Sequence, residues 1–308
     1  MTPDIPTHAS GTVPRVPVID LWANVVSPAF AERWTQSDEA QGAKQLFGDG
    51  LFSASQSLDD LLSVMDGAGV DGAVITLPFR PPESCHRGGL FAAEDLLEAA
   101  DAHAAAPVSG LYVAASVNEP NRPPPRPRKM VERVRSLAAH PRFVLVRVAP
   151  FLDQIALDDA RYYPLYAACE ELELAVAINV GVPGPRADSD CQHPRRLERV
   201  LIDFPDLTVI GAHMGHPYES LLVTFMLKWE HLYLSNSAYL ADYMDEGLVR
   251  FMNSSRGRGR VLFASDHPVI PMGRALESAR KLPLDEVSMN EFLGDATARV
   301  LRLHDRTR

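Results

Sequence analysis

Short runs of β-branched and aliphatic residues recur along the chain, each followed by a longer stretch in which apolar residues return every three or four positions. Eight runs stand out: Val16–Asp20, Gly72–Thr76, Gly110–Ala114, Phe143–Val148, Leu174–Asn179, Leu207–Ala212, His231–Leu234 and Arg260–Ala264. Several are apolar without a polar face, the pattern of strands covered on both sides. Between them, helices are predicted over Leu58–Ala68, Leu90–Ala104, Tyr163–Leu172, Pro194–Phe204 and Glu219–Lys228, with Arg274–Lys281 and Glu291–Leu303 after the last strand. Ser57, with Asp60 three residues on, supplies the entry signal of the first of these, and Gly67 and Gly69 bracket its end.

Strand-helix alternation predicts a parallel sheet, and eight units in about 250 residues predict a closed (β/α)8 TIM-type barrel of the α/β class. An open doubly wound sheet is disfavoured because neither G-x-G-x-x-G nor G-x-x-x-x-G-K-[ST] follows the first strand. The expected organisation is a tail over 1–15 and one barrel domain over 16–308, with an insertion or lid from about Pro28 to Ser57 after strand one.

Composition narrows the class. The chain has 308 residues, 46% hydrophobic and 23% charged, which excludes a disordered or collagenous protein. Cys85, Cys169 and Cys191 show no C-x-x-C spacing, so neither a disulfide framework nor a structural zinc site is expected. No apolar run reaches membrane-spanning length and Met1 to Pro17 carries prolines in place of a signal sequence, so a cytoplasmic protein without a membrane partner is expected. With 40 acidic against 30 basic residues the net charge is -10, which argues against a nucleic-acid partner. The basic run of Arg122, Arg126, Arg128, Lys129, Arg133 and Arg135 reads as a solvated helix face. Tyr218, Phe225, Met226, Trp229 and Tyr243 are candidates for a homodimer surface, although burial within the barrel explains most of them equally well.

In such barrels chemistry gathers at the C-terminal ends of the strands. There the sequence places Trp22 and Asn24 after strand one, Arg147 on strand four, Asn179 on strand five, His213 on strand six, Ser235-Asn236 on strand seven, and Asp266-His267 on strand eight. Each has a structural alternative. His213 serves equally as a core histidine, Asp266 as a helix cap before Pro268, Trp22 as packing, and Arg147 as an ion-pair member rather than a carboxylate clamp. Asn24 and Asn179 need partners whether or not a substrate supplies them. His216 and His267 are weaker substrate-binding candidates. Tyr162 and Tyr163 are expected to pack the start of a helix.

Ala212-His213-Met214-Gly215 after Asp203-Phe204-Pro205-Asp206-Leu207, then Leu232-Tyr233-Leu234-Ser235-Asn236-Ser237-Ala238 and Leu262-Phe263-Ala264-Ser265-Asp266-His267-Pro268, resemble the second half of the amidohydrolase superfamily. The resemblance runs from about Val16 to Leu303 and is narrowest to the amidohydrolase-related branch that contains aminocarboxymuconate-semialdehyde decarboxylase. It implies a metal-binding His-x-His at the end of strand one, where Trp22 and Asn24 stand here, and a ligand histidine on strand five, where Asn179 stands. Of the implied set, Asp266 and the strand-six histidine, His213, remain. The resulting expectation is a metal-free, cofactor-free enzyme acting on a small carboxylated or phenolic molecule as a lyase of the decarboxylase type or a hydrolase. His213 and Asp266 are its expected acid-base pair, and Arg147, Asn179, Asn24, Trp22, His216 and His267 its expected substrate contacts. An anionic Asp266 would raise the pKa of His213 and keep it protonated. Two alternatives stay open: a non-catalytic ligand-binding or scaffolding relative, and a divalent-metal hydrolase using Asp266, His213 and a nearby histidine.

Overall fold

Apolar residues in the strands divide by a period of two into two separate cores. Val74, Tyr112, Ala114, Ala175, Ala177, Ile210, Ala212 and Leu262 belong to one, while Ala73, Ile75, Leu111, Val113, Val176, Ile178, Val209 and Val261 belong to the other. Alternate side chains of a strand point to opposite faces, so the sheet has one filled interior and one outer face covered by helices. The computed structural model describes residues 16–36, 52, 54–77, 92–103, 109–117, 125–184 and 187–306.

Eight strands carry this pattern: β1 (Ile19–Asn24), β2 (Gly72–Thr76), β3 (Gly110–Ser116), β4 (Phe143–Val148), β5 (Ala175–Asn179), β6 (Val209–Ala212), β7 (Leu232–Ser235) and β8 (Val261–Leu262). They pair in parallel in sequence order, β1 through β8. The seam between β8 and β1 is closed by Leu21 N to Phe263 O at 3.0 Å, Asp266 N to Trp22 O at 2.9 Å and Asn24 N to His267 O at 2.7 Å. The expected single-domain TIM-type barrel is therefore observed.

Around the sheet run α1 (Pro28–Thr35), α2 (Leu58–Ala68), α3 (Ala93–Ala102), α4 (Pro127–Ala138), α5 (Tyr163–Glu171), α6 (Leu197–Asp203), α7 (Glu219–Lys228), α8 (Glu246–Met252) and α9 (Met272–Arg280), then a final helical run over 286–300. Helix α2 begins with a full capping box between Ser57 and Asp60 and ends at Gly69 in the left-handed conformation, φ 75°. Both signals act as read from the sequence. The first strand lies three to four residues beyond its expected place: Pro17 has no N–H to give a ladder, whereas Trp22 O and Asn24 N both bond across the seam. Strand eight is shorter than expected because the chain leaves the ladder before Ser265.

In α4, Arg128 and Lys129 bond Glu132, Arg133 bonds Glu94 and Arg135 bonds Glu171, a solvated face rather than a free basic patch; Arg122 lies outside the described residues. Phe225 and Met226 are buried in the core, while Tyr243 is exposed, so the candidate dimer surface does not form one apolar patch. Tyr162 is buried and Tyr163 donates to Asp203 at 2.7 Å, both packing the start of α5. Among the described residues no helix is long and apolar enough to cross a membrane. Cys85 and the expected tail over 1–15 lie outside the described residues.

Of the insertion after β1, residues 28–36, 52 and 54–57 are described. Phe30 stacks on Trp34 and Phe52 meets both edge-on, with ring centroids 5.4 to 6.1 Å apart, in a cluster with Val26 and Val269. Val269 follows β8, so this cluster sits beside the C-terminal ends of β8 and β1.

The exit of β5 is held against that of β6 by Gly181, whose φ is 89°. A Cβ there would lie 2.6 Å from the carbonyl carbon of Gly215 and closer still to His216 O. Gly181→Ala is expected to destabilise the protein by about 2 kcal/mol or more, since strain and collision act together. Urea unfolding followed by circular dichroism measures this, and an unchanged midpoint would refute the packing argument.

Candidate active site

Inward register carries Trp22 and Asn24 on β1, Thr76 on β2, Arg147 on β4 and Asn179 on β5 to the same end of the barrel. The cross-strand pairs Asn24 with Thr76, Ser116 with Arg147, and Asn179 with Ala212 set their level. Trp22 is the hub. Arg147 Cζ lies 4.0 Å from the centre of its ring, and the His213 imidazole lies 5.2 Å away at a tilt of 59°. A guanidinium over an indole face is held by the ring quadrupole, the more strongly for being out of water.

Arg147 Nη1 donates to Thr76 Oγ1 at 2.7 Å and to Leu77 O at 2.8 Å, whereas Nε has no partner among the described residues. Burial lowers its pKa to about 10, against the opposing charge of Asp266, so the group stays cationic at neutral pH.

Asp266 follows β8 in the left-handed region, φ 59°, an unusual state for a residue with a side chain. Asn24 Nδ2 donates to Asp266 Oδ1 at 2.8 Å and to His267 O at 2.8 Å, with Asp266 O at 3.3 Å. Three acceptors around one nitrogen fix the orientation of that amide. Burial pushes the Asp266 carboxyl up to about 7; the Asn24 hydrogen bond and the Arg147 charge oppose this, and the Asp20 charge adds to it.

Asp20 is a site residue that sequence reasoning missed. It is fully buried and accepts from Trp22 N at 3.0 Å, Ser265 N at 2.9 Å and Ser265 Oγ at 2.5 Å. Ser265 Oγ in turn accepts from His267 N at 2.9 Å, so one carboxylate ties the backbone on both sides of Asp266 to β1. Burial raises its pKa to about 6, against those hydrogen bonds. An acidic residue inside the apolar run Val18-Ile19-Asp20-Leu21 was the available signal, since a buried charge must be held by donors.

His213 also has a positive φ, 60°, and its Nδ1 lies 3.0 Å from Ser237 Oγ and 3.3 Å from Ser237 O. Ser237 is the second residue that the sequence did not flag. Burial first, and the Arg147 cation second, lower the His213 pKa to about 4. The expectation of a protonated His213 is thus overturned: the charge acting on it is a guanidinium, not the Asp266 carboxylate, and the imidazole is neutral near pH 7.

Trp22 is only 1% exposed, and the Arg147 guanidinium lies over its ring. Asn24 directs its NH2 to Asp266 and His267, which orients the carboxyl. Asn179 lies in the inward layer and is buried. His216 is half exposed and turned to Glu219, with Nδ1 2.7 Å from Oε1, beside Tyr239. His267 is buried with Nε2 3.0 Å from Gln56 Oε1, which ties the end of β8 to the residue ahead of the α2 cap; its Nδ1 has no partner among the described residues.

A divalent metal does not fit this donor set. Among the described residues no three His, Cys, Asp or Glu side chains are grouped to hold one ion. An indole does not ligate, Asn24 turns its donor end to the carboxylate, and the altered set of Asp266, His213 and His216 or His267 is not assembled, because those histidines face Glu219 and Gln56.

The amidohydrolase family profile matches residues 19–303. The chain belongs to the amidohydrolase family. No curated protein is similar enough to match it. Among solved structures, the chain is similar to an uncharacterized TIM-barrel protein from Bordetella bronchiseptica, with 21% identity, TM-score 0.72, and 95% of this chain and 100% of that one covered. It is similar to 5-carboxyvanillate decarboxylase from Sphingomonas paucimobilis, with 18% identity, TM-score 0.64 and coverage of 94% and 99%. A dihydroxybenzoic acid decarboxylase from Polaromonas, with bound manganese and the inhibitor 2-nitroresorcinol, matches at 14% identity, TM-score 0.67 and coverage of 94% and 98%. At these identities the likeness is one of fold, and the manganese belongs to that decarboxylase.

Proposed function

We propose that this amidohydrolase-family protein is a metal-independent lyase of the decarboxylase type that acts on a small carboxylated phenol. The observation that carries the reading is the pairing of a buried carboxyl near pKa 7, Asp266, with a half-buried guanidinium, Arg147. At neutral pH a substantial share of Asp266 is the acid, while Arg147 offers an anionic group its Nε edge. The protonated Asp266 gives its proton to the ring carbon that bears the carboxylate. The carbon–carbon bond then breaks, its electron pair restores the aromatic ring, carbon dioxide leaves, and the Asp266 anion recovers a proton from water. Neutral His213, with Nδ1 at Ser237, presents its other nitrogen as the partner of a phenolic hydroxyl. Fold relatives that carry decarboxylase names support the class, and the donor set around Trp22 supports metal independence.

The test is to strip the protein with EDTA, measure its metal content, and assay carbon dioxide release from 2,6-dihydroxybenzoate and 5-carboxyvanillate. Turnover by metal-free protein is expected with at least one of them. Turnover appearing only after manganese is added would overturn metal independence, and its absence under both conditions would overturn the lyase assignment.

A further inference from the structure

The metal mismatch leaves a question of charge. Two buried carboxyls, Asp20 and Asp266, stand at the β1–β8 seam, and a barrel that relies on a divalent ion would balance them with that ion. Here the balancing charge is supplied from the opposite side of the mouth by β4. We propose that Arg147, seated on the Trp22 ring, is the resident cation of this site, taking over the charge role of a metal, and that its unpaired Nε edge is the binding point for a carboxylate or phenolate. This rests on the metal-independent reading above and deepens it.

Four observations converge. Arg147 Cζ lies 4.0 Å over Trp22, which occupies one of the β1 positions where the family resemblance implies a metal ligand. Trp22 also touches His213, so the guanidinium and the imidazole share one support. Nη1 is fixed by Thr76 Oγ1 and Leu77 O, which orients the planar fork and leaves Nε turned elsewhere. That Nε is buried and without an acceptor among the described residues, an arrangement that costs free energy unless a ligand completes it. Being covalent, this cation cannot be removed by a chelator. A planar donor edge also selects flat anions of carboxylate geometry over spherical ones.

The unit is then Trp22 with Arg147 rather than either alone. Restoring a histidine at Trp22 would remove the seat while leaving the competing charge in place, so it would not by itself recreate a metal site.

The experiment uses salicylate as the anion probe and Mn2+ as the metal probe on EDTA-stripped wild-type protein and on Arg147→Met, with isothermal titration for binding and circular dichroism for fold. Wild type is expected to bind salicylate and not Mn2+. Arg147→Met is expected to weaken salicylate binding by about tenfold or more, the loss of a charge-assisted hydrogen bond to a buried anion. Should Arg147→Met not fold, Arg147→Lys is read instead. It keeps the charge but lacks the planar fork, and the same direction of change is expected at smaller size. Wild-type binding of salicylate that is unchanged in the folded variant, or no salicylate binding by wild type at all, would overturn the Arg147 assignment. Stoichiometric Mn2+ binding by wild type would instead overturn metal independence, so the two failures are distinguishable.

Discussion

Asp266→Asn is expected to lower carbon dioxide release by a factor of about 100 or more while leaving the fold intact, the usual effect of removing a general acid. The carboxamide keeps an oxygen for Asn24 Nδ2 but carries no proton to give to carbon. His213→Ala is expected to cost a comparable factor by removing the neutral partner of the phenolic hydroxyl, whereas Arg147→Ala should act chiefly through weaker substrate binding. Steady-state kinetics, with matched thermal melts, separate these outcomes. Folded Asp266→Asn and His213→Ala proteins that both retain full turnover would refute the proposed chemistry.

The pH profile follows from the same groups. Because burial holds Asp266 near 7, its acid form declines about tenfold per unit above that value, and turnover should fall accordingly on the alkaline side. His213, brought down to about 4 by burial and Arg147, is already neutral through this range and contributes no limb between pH 5 and 8.

Much of this arrangement was legible before the fold. Short apolar runs of β-branched residues reveal strands covered on both faces, and a polar residue at or just beyond the C-terminal end of such a run marks the barrel mouth. Arg147, Asn179, His213 and Asp266 were found in that way. What a single sequence does not carry is how side chains from opposite strands meet across the interior. That Arg147 of β4 lies on Trp22 of β1 depends on barrel closure, and with it the charge on His213 changes from the expected cation to a neutral ring. Asn24 likewise reads as a substrate donor until the β1–β8 seam places three acceptors around its nitrogen. Asp20 closes the expected run Val16–Asp20, but the strand itself spans Ile19–Asn24 and buries it, and only the Ser265 turn shows what holds it there.

Stability should carry the signature of these buried acids. A carboxyl whose pKa rises from 3.8 unfolded to about 7 folded binds more protons in the native state over that interval. Its favourable contribution is complete below 3.8 and is lost as pH rises through 7, beyond which the buried charge is borne in full. At about 1.36 kcal/mol per unit, the penalty at pH 8 is on the order of 4 kcal/mol for Asp266. Asp20, raised to about 6, adds in the same direction. Asp266→Asn removes the ionisable group without removing the acceptor for Asn24, so the variant that loses turnover is expected to gain stability at pH 8, by up to about that amount, and to gain little at pH 4. Urea unfolding of wild type and variant across pH 4 to 8 measures the difference directly and cancels the titration of surface groups common to both. A stability difference that stays constant with pH would show that Asp266 ionises in the folded protein as it does in the unfolded chain, and the proton it is proposed to donate would then not be held at neutral pH.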